Sequence, residues 1–338
     1  MPGNHEMTGP AVLPGHVRRL ADRPMVGTVP VPGYGAMFNA GVLHHEGAYH
    51  LFARGVRSGY SRNPGPGDRF LDYISDIVVF ISADGLGYAF QYVLARGGRG
   101  HAACFEDPRV QRVVSCGAEQ LVITYTALPP AGSGLPWRIG AHRLGWDGQR
   151  FFLRPGSGRL LGPEGVADKD AVIFALADGR VAMIHRVHNN MQLAVFDDLD
   201  HLWDAGPEYW DLYLADLEVH TLLRPSPGAL GVGAGAPPVA TAEGLLLFFH
   251  ERRADGSYTM NLALLDPSTG EVLSRLPSAI LEPELEWERR GDVDNVVFVQ
   301  GAHRDGDHLY LTYGAADRYV GAATASVAHL LDALAAAA

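Results

Sequence analysis

Apolar and polar positions along this chain fall into short runs broken by glycine turns. Phe38-Asn39-Ala40-Gly41-Val42-Leu43 is followed by Ala48-Tyr49-His50-Leu51-Phe52-Ala53-Arg54, with Glu46-Gly47 between them. Asp170-Ala171-Val172-Ile173-Phe174 is followed by Arg180-Val181-Ala182-Met183-Ile184-His185-Arg186, with Asp178-Gly179 between them. Runs rich in β-branched and aromatic residues, joined by an acidic residue and a glycine, predict antiparallel hairpins.

The plan repeats. With Asn39, Asp107, Asp170, Pro237 and Asn295 taken as entries to successive units, the intervals are 68, 63, 67 and 58 residues. A near-regular period of that size, holding about four short strands per unit, fits a β-propeller blade. The fifth unit runs through Asp294-Asn295-Val296-Val297-Phe298 and His308-Leu309-Tyr310-Leu311-Thr312-Tyr313, so five units fill the chain. The expected fold is all-β, a five-bladed β-propeller spanning residues 1–338 as one domain. Its blades start near residues 38, 106, 169, 235 and 294, after an N-terminal extension over 1–30. Ala322 to Ala338 reads as a short C-terminal helix with Val327, Leu330, Leu331 and Leu334 on one stripe, packing against or closing the ring. First strands of propeller blades line a central channel, so the polar entries are expected to converge at one mouth.

Composition agrees with many short strands and turns: 338 residues, 47% hydrophobic, with 41 Gly and 22 Pro. The formal charge of −11, with no Lys/Arg-rich segment to offset it, argues against nucleic acid or an anionic membrane as partner. Met1 to Val26 holds Arg18, Arg19 and Arg23 but no apolar core of the secretory type, and no run approaches the roughly 20 apolar residues of a membrane span. The expectation is a cytoplasmic protein. Cys104 and Cys116 are the two cysteines, expected as buried free thiols.

Several apparent motifs carry no chemistry. Gly231-Val232-Gly233-Ala234-Gly235 is followed by Pro237-Pro238 where a dinucleotide-binding helix would have to begin, and the G-x-G-x-x-G register is absent. His44-His45 and His185-x-x-His188 lack the carboxylate set and helical spacing of a zinc site, so no metal is expected. Ser82-Ala83-Asp84-Gly85 and Asp197-Asp198-Leu199-Asp200-His201-Leu202-Trp203 read as blade turns, with Asp capping and Trp203 packing between blades.

The chemistry-bearing cluster is Glu106-Asp107-Pro108-Arg109, two carboxylates beside a guanidinium ahead of the strand-like run Val122-Ile123-Thr124-Tyr125-Thr126. Such a cluster suits a proton donor in a sugar site, although Asp before Pro is also a common structural turn. Its company decides. Together with Phe38-Asn39-Ala40-Gly41, Lys169 to Phe174, His185-Arg186, Gly233 to Pro238, Pro283-Glu284, Glu288-Arg289-Arg290-Gly291 and Tyr313-Gly314-Ala315-Ala316-Asp317, it resembles the ordered signature blocks of glycoside hydrolase family 130. The resemblance runs from about residue 30 to 325.

That family is made of five-bladed propellers, chiefly β-mannoside phosphorylases with some β-mannosidases. The resemblance implies an inverting mechanism with Asp107 as the general acid, acting through the mannose 3-hydroxyl. It implies that Asn39, Arg54, Glu288 and Asp317 bind the sugar, with an ordinary ion pair as the competing reading for Arg54 and Glu288. Phosphate falls to Lys169, Arg186, His250 and Tyr258. Asp170 either pairs with Lys169 or contacts sugar.

A phosphorylase and an inverting hydrolase differ in what faces the acid: cationic donors for phosphate, or a second carboxylate about 6.5–9.5 Å away to activate water. Lys169 and Arg186 bracket an apolar hairpin, which favours phosphorolysis of a β-mannoside by inorganic phosphate to α-mannose 1-phosphate, with no cofactor. A β-mannosidase on the same scaffold and a non-catalytic carbohydrate-binding propeller are the alternatives. A homo-oligomer is compatible with the resemblance. The loops 58–70 and 96–100 match no block and are candidates for shaping the acceptor side.

Overall fold

In the computed structural model, which describes residues 15–65, 69–98 and 102–337, both predicted hairpins form, and each extends into a four-stranded antiparallel sheet. Blade one holds Tyr34–His45, Ala48–Arg57, Ser75–Ser82 and Ala89–Ala95. Blade two holds Cys104–Ser115, Ala118–Leu128, Arg138–Trp146 and Phe151–Leu153, with Arg159–Leu161 also on its third strand. Blade three holds Asp168–Ala175, Val181–Val187, Met191–Phe196 and Thr221–Leu223. Blade four holds Ala229–Ala234, continued by Val239–Ala240, then Leu245–Arg253, Tyr258–Leu265 and Val272–Arg275. Blade five holds Val297–Asp305, His308–Ala315, Tyr319–Ser326 and, outermost, Arg18–Arg19.

The first strands touch one another in order around the ring, blade five meeting blade one, which makes a five-bladed β-propeller. The apolar runs follow from this arrangement. A blade is buried on both faces, so alternate residues of one strand serve two different interfaces. Leu246 and Phe248 pack into the cluster shared with blade five, whereas Leu245, Leu247 and Phe249 pack into the one shared with blade three. Ala171 and Ile173 face blade two while Val172 and Phe174 face blade four. Truncating one of these fully buried leucines to alanine costs about 2–5 kcal/mol.

Several sequence expectations change. Three of the five entry residues, Asn39, Asp107 and Asp170, lie inside the first strands and not ahead of them, whereas Asn295 precedes Val297–Asp305 as expected. Register slips between Phe38 and Gly41, between Glu106 and Arg109, and between Lys169 and Val172 mark a bulge at the equivalent place in the first strands of blades one, two and three. Asn39, Asp107 and Asp170 occupy those bulges in the left-handed backbone region, at φ 47°, 52° and 58°. Asn and Asp are the non-glycine residues that adopt this region most readily, which is why the repeat reads as Asn or Asp at a fixed place. In blade four the break falls at residues 235–238, where Pro237-Pro238 interrupts the strand.

The ring is closed by the N-terminal segment, not by the C-terminal helix. Arg18 and Arg19 pair with Thr324 and Ala323, and Val26 bridges Val320, so part of the expected 1–30 extension belongs to blade five. Residues 1–14 lie outside the described residues. The C-terminal helix is shorter than expected, Val327–Ala336, because Tyr319–Ser326 is a strand. Ser326 caps it, accepting from the His329 N–H, and Val327, Leu330 and Leu334 bury its stripe in the cluster between blades four and five.

Asp198 caps the short helix Leu199–Asp204 where a turn was expected, and Trp203 is buried between blades two and three. Cys104 is buried as expected, but Cys116 is exposed; both are free.

Candidate active site

The bulges solve a geometric problem. Successive residues of a strand point to opposite faces, so Glu106 and Asp107 would normally diverge. An extra residue in the left-handed region re-aims the side chain, and at Asp107 it turns both carboxyls to one guanidinium. Arg54, placed opposite Phe38 in the neighbouring strand, donates from Nη1 to Asp107 Oδ1 at 3.3 Å and from Nη2 to Glu106 Oε1. Asn39 Nδ2 donates to Asp107 Oδ1 at 2.7 Å. Arg54 is buried between the rings of Phe38 and Tyr73, its guanidinium carbon 4.9 and 5.2 Å from their centroids.

Asp317 completes this side. It lies at φ 51° in the turn between the second and third strands of blade five. Burial, opposed by Arg54 and aided by Asp107 and Glu106, pushes its carboxyl up to about 7. Glu106 is also shifted up, by burial first and by Asp107, against the pull of Arg54 and Lys169. Three carboxyls thus lie in the field of one guanidinium, which is bound directly to two of them.

Blades three and four supply the opposite charge. Lys169 and Arg186 are directly paired in register across the first hairpin of blade three. Asp170 lies between basic side chains: Arg109 Nη2 donates to its Oδ1 at 3.3 Å, Arg186 Nε is 3.3 Å and His250 Nε2 is 3.6 Å from its Oδ2. Burial opposes ionisation of Asp170, but Arg186, His250, Lys169 and Arg109 outweigh it and hold its carboxyl below the usual range. Lys169 is pushed down by burial and by Arg186, against Asp170, Asp107 and Glu106. His250 falls to about 3, through burial first and then the three cations, so its ring is neutral near pH 7. The Tyr258 ring lies 6.0 Å from that of His250, and burial raises its hydroxyl.

The cluster therefore has an acidic side and a basic side, with Asp107 in the field of both. Asn39 Oδ1, Arg54 Nε and His250 Nδ1 are buried without a hydrogen-bond partner in the protein. Buried polar atoms in that state are costly, and they are suited to a polar ligand. Among the described residues no group of three or more His, Cys, Asp and Glu side chains is arranged to hold a metal ion.

Nine of the ten sequence-predicted residues fall in this arrangement. Glu288 does not. It is fully buried, with Oε1 bound by Arg19 Nε at 2.7 Å and the Tyr313 hydroxyl at 2.9 Å. Its Oε2 accepts from Arg19 Nη2 at 2.8 Å and from the backbone N–H groups of Glu284 and Leu285 at 2.8 and 3.0 Å. Both oxygens are fully engaged in anchoring the segment that closes the ring, so the ion-pair reading of Glu288 is the one that fits.

Sequence reasoning missed two groups. Arg109 is 1% exposed and also donates to the carbonyls of Asp107, Ala234 and Gly235. Its signal was a guanidinium two residues beyond Asp107 in the same motif. Beneath Lys169 and Arg186, His185 is hydrogen-bonded to Asp168 at 2.8 Å and to the Tyr213 hydroxyl at 2.9 Å, all three buried. Tyr213 comes from the helix Pro207–Ala215, which no local pattern linked to the site.

The glycines of Gly231 to Gly235, which form no dinucleotide loop, have a packing reason. A Cβ on Gly233 would lie 2.4 Å from Asp170 Oδ2 and 2.6 Å from His250 Cε1, so only glycine lets these groups meet.

Comparison with known proteins agrees with this architecture. The family model described as beta-1,4-mannooligosaccharide phosphorylase matches residues 10–336. A 1,2-beta-oligomannan phosphorylase of Thermoanaerobacter sp. (strain X514) is 26% identical over 322 residues, covering 91% of this chain and 96% of the relative. A beta-1,2-mannobiose phosphorylase of the same organism is 28% identical, covering 90% and 95%. Among solved structures, the beta-1,2-mannobiose phosphorylase of Listeria innocua superposes with a TM-score of 0.73 at 21% identity, covering 95% of this chain and 100% of that one. The ring of five blades and a family match along nearly its whole length together identify this chain as a member of glycoside hydrolase family 130.

Proposed function

We propose that this protein is an inverting β-mannoside phosphorylase and that its substrates are β-1,2-linked manno-oligosaccharides. The observation that carries phosphorolysis is the set of Lys169, Arg186 and Arg109 around Asp170, in the field of Asp107. A dianionic nucleophile needs cationic donors in excess, and here three cations outnumber the one Asp170 carboxylate they surround, whereas an inverting hydrolase needs a carboxylate left free to activate water. The linkage reading rests on the two relatives named for β-1,2 mannan chemistry, each matched over nearly its full length.

In this reading Asn39, Arg54 and Asp317 hold the mannose to be transferred, and Lys169, Arg186, His250 and Tyr258 hold phosphate. A phosphate oxygen attacks C1 from the face opposite the leaving group. The C1–O bond to the acceptor breaks as the C1–O–P bond forms. The Asp107 proton passes through the mannose 3-hydroxyl to the departing oxygen, leaving α-mannose 1-phosphate, a shortened acceptor and an Asp107 carboxylate.

The test is a panel of β-1,2- and β-1,4-mannobiose with and without inorganic phosphate. Mannose 1-phosphate is expected from the β-1,2 substrate only when phosphate is present. Free mannose at full rate without phosphate would establish the hydrolase instead, and binding with no turnover under either condition would establish a carbohydrate-binding propeller.

A further inference from the structure

We propose that Glu106 is a tuning residue for the acid: it holds the Arg54 guanidinium to itself and, by its own charge, keeps Asp107 able to carry the proton it must donate. This rests on reading Asp107 as the acid.

The argument starts from a conflict. A carboxyl beside a buried guanidinium is driven to ionise, by one to three pH units when the pair is close. An acid in that position would lose its proton before it could give it away. Arg54 is held in place by packing, its guanidinium carbon lying 4.9 and 5.2 Å from the ring centroids of Phe38 and Tyr73. The structure divides Arg54 unequally instead. Nη2 is bound to Glu106, whereas Nη1 reaches Asp107 only at 3.3 Å, near the limit of a useful hydrogen bond.

The unequal division depends on the bulge. With regular alternation Glu106 would face away from Asp107 and Arg54 would serve the acid alone. The left-handed Asp107 at φ 52° brings the two carboxyls of adjacent residues to one guanidinium. Both carboxyl side chains are mostly buried, 16% exposed for Glu106 and 10% for Asp107, so their mutual repulsion is weakly screened. The other charged or titratable groups facing Glu106 are Tyr73, Cys104, Asp317 and Lys169, and Arg69 stands beyond Asp317. Asp317 acts on Asp107 in the same direction as Glu106, and Lys169 against both.

The experiment measures kcat/KM against pH for a β-1,2-manno-oligosaccharide at saturating phosphate, so that phosphate ionisation is common to all variants. Glu106→Gln keeps the shape and the hydrogen bond to Arg54 but removes the charge. Its alkaline limb is expected to move to lower pH by roughly one unit or more, and Glu106→Asp is expected to restore the wild-type limb. A role confined to folding would lower the rate evenly at every pH, and an unmoved limb in Glu106→Gln overturns the proposal. Should Glu106→Gln not fold by near-UV circular dichroism, Glu106→Ala is measured with and without formate. The limb should return toward wild type only with formate, and a limb indifferent to formate is equally fatal. Asp107→Asn is the control that separates the two levels: if it turns over normally, the reading of the acid has failed, whatever Glu106 does.

Discussion

Asn39 and Asp107 are 68 residues apart yet joined by a 2.7 Å hydrogen bond between equivalent bulges of neighbouring blades. The amide fixes the carboxyl that the proposed mechanism uses, and the left-handed backbone at φ 47° fixes the amide. Asn39→Ala is expected to lower kcat/KM on the order of 10–100-fold, the worth of one hydrogen bond to an ionisable group. It should also lose about 1–2 kcal/mol of stability, because alanine tolerates that backbone poorly. Asn39→Gly separates the two effects: the kinetic loss should persist while most of the backbone strain disappears. Steady-state kinetics and urea unfolding of both variants check this, and full activity in either removes Asn39 from the site.

Lys169 and Arg186 are paired across a hairpin and both lie near Asp170, so removing one leaves the other still held. Lys169→Ala is therefore expected to raise KM for phosphate by about tenfold or more, the scale of a lost charge-assisted contact, with a smaller effect on KM for the mannoside. Initial rates over a grid of both substrates give the two constants. An equal rise in both would place Lys169 at the sugar and not at phosphate.

How much of this was legible in the sequence follows from what sets each feature. The hairpins and the five-unit period were readable because turn residues and β-rich runs are local, and because Asn39, Asp107 and Asp170 mark the same left-handed position in successive blades. The closing strand was not, since Arg18–Arg19 is only two residues long and its partners Ala323 and Thr324 lie at the far end of the chain. Glu288 was readable only as a carboxylate in a motif. That Arg19, Tyr313 and two backbone N–H groups exhaust its oxygens depends on the same ring closure. Tyr213 likewise reaches His185 through a helix inserted between the outer strands of its blade, which leaves no periodic trace.

Arg19 supports a prediction about stability alone. It is the cation that neutralises a fully buried Glu288, so Arg19→Ala leaves a carboxylate buried with only neutral donors. Breaking a buried pair in this way costs about 3–5 kcal/mol. Because the pair ties the ring-closing strand to the helix Glu286–Arg289 ahead of blade five, a large drop in urea midpoint is expected, while kcat/KM of the folded fraction stays close to wild type. A large kinetic defect in fully folded Arg19→Ala would put Glu288 back at the sugar.

The Asp317 carboxyl links the site to the pH dependence of folding. Burial, with Asp107 and Glu106, lifts it to about 7 from an ordinary value of 3.8. Between those values the folded protein holds a proton there that the unfolded chain has released, so stability falls as pH rises from about 4 to 7. What Asp317 contributes is fully present below the lower value and lost through the upper one. His250 works in the opposite sense over much of the same window, since burial has lowered it from 6.5 to about 3 and the unfolded chain binds the extra proton. The two slopes offset each other in the wild type. Asp317→Asn removes one of them and keeps the shape of the side chain, so its melting temperature relative to wild type should climb steadily from pH 4 to pH 7. Thermal melts of both proteins across that range decide it: a difference that does not vary with pH would mean that Asp317 titrates normally, and that the crowding of three carboxyls around Arg54 is relieved in some other way.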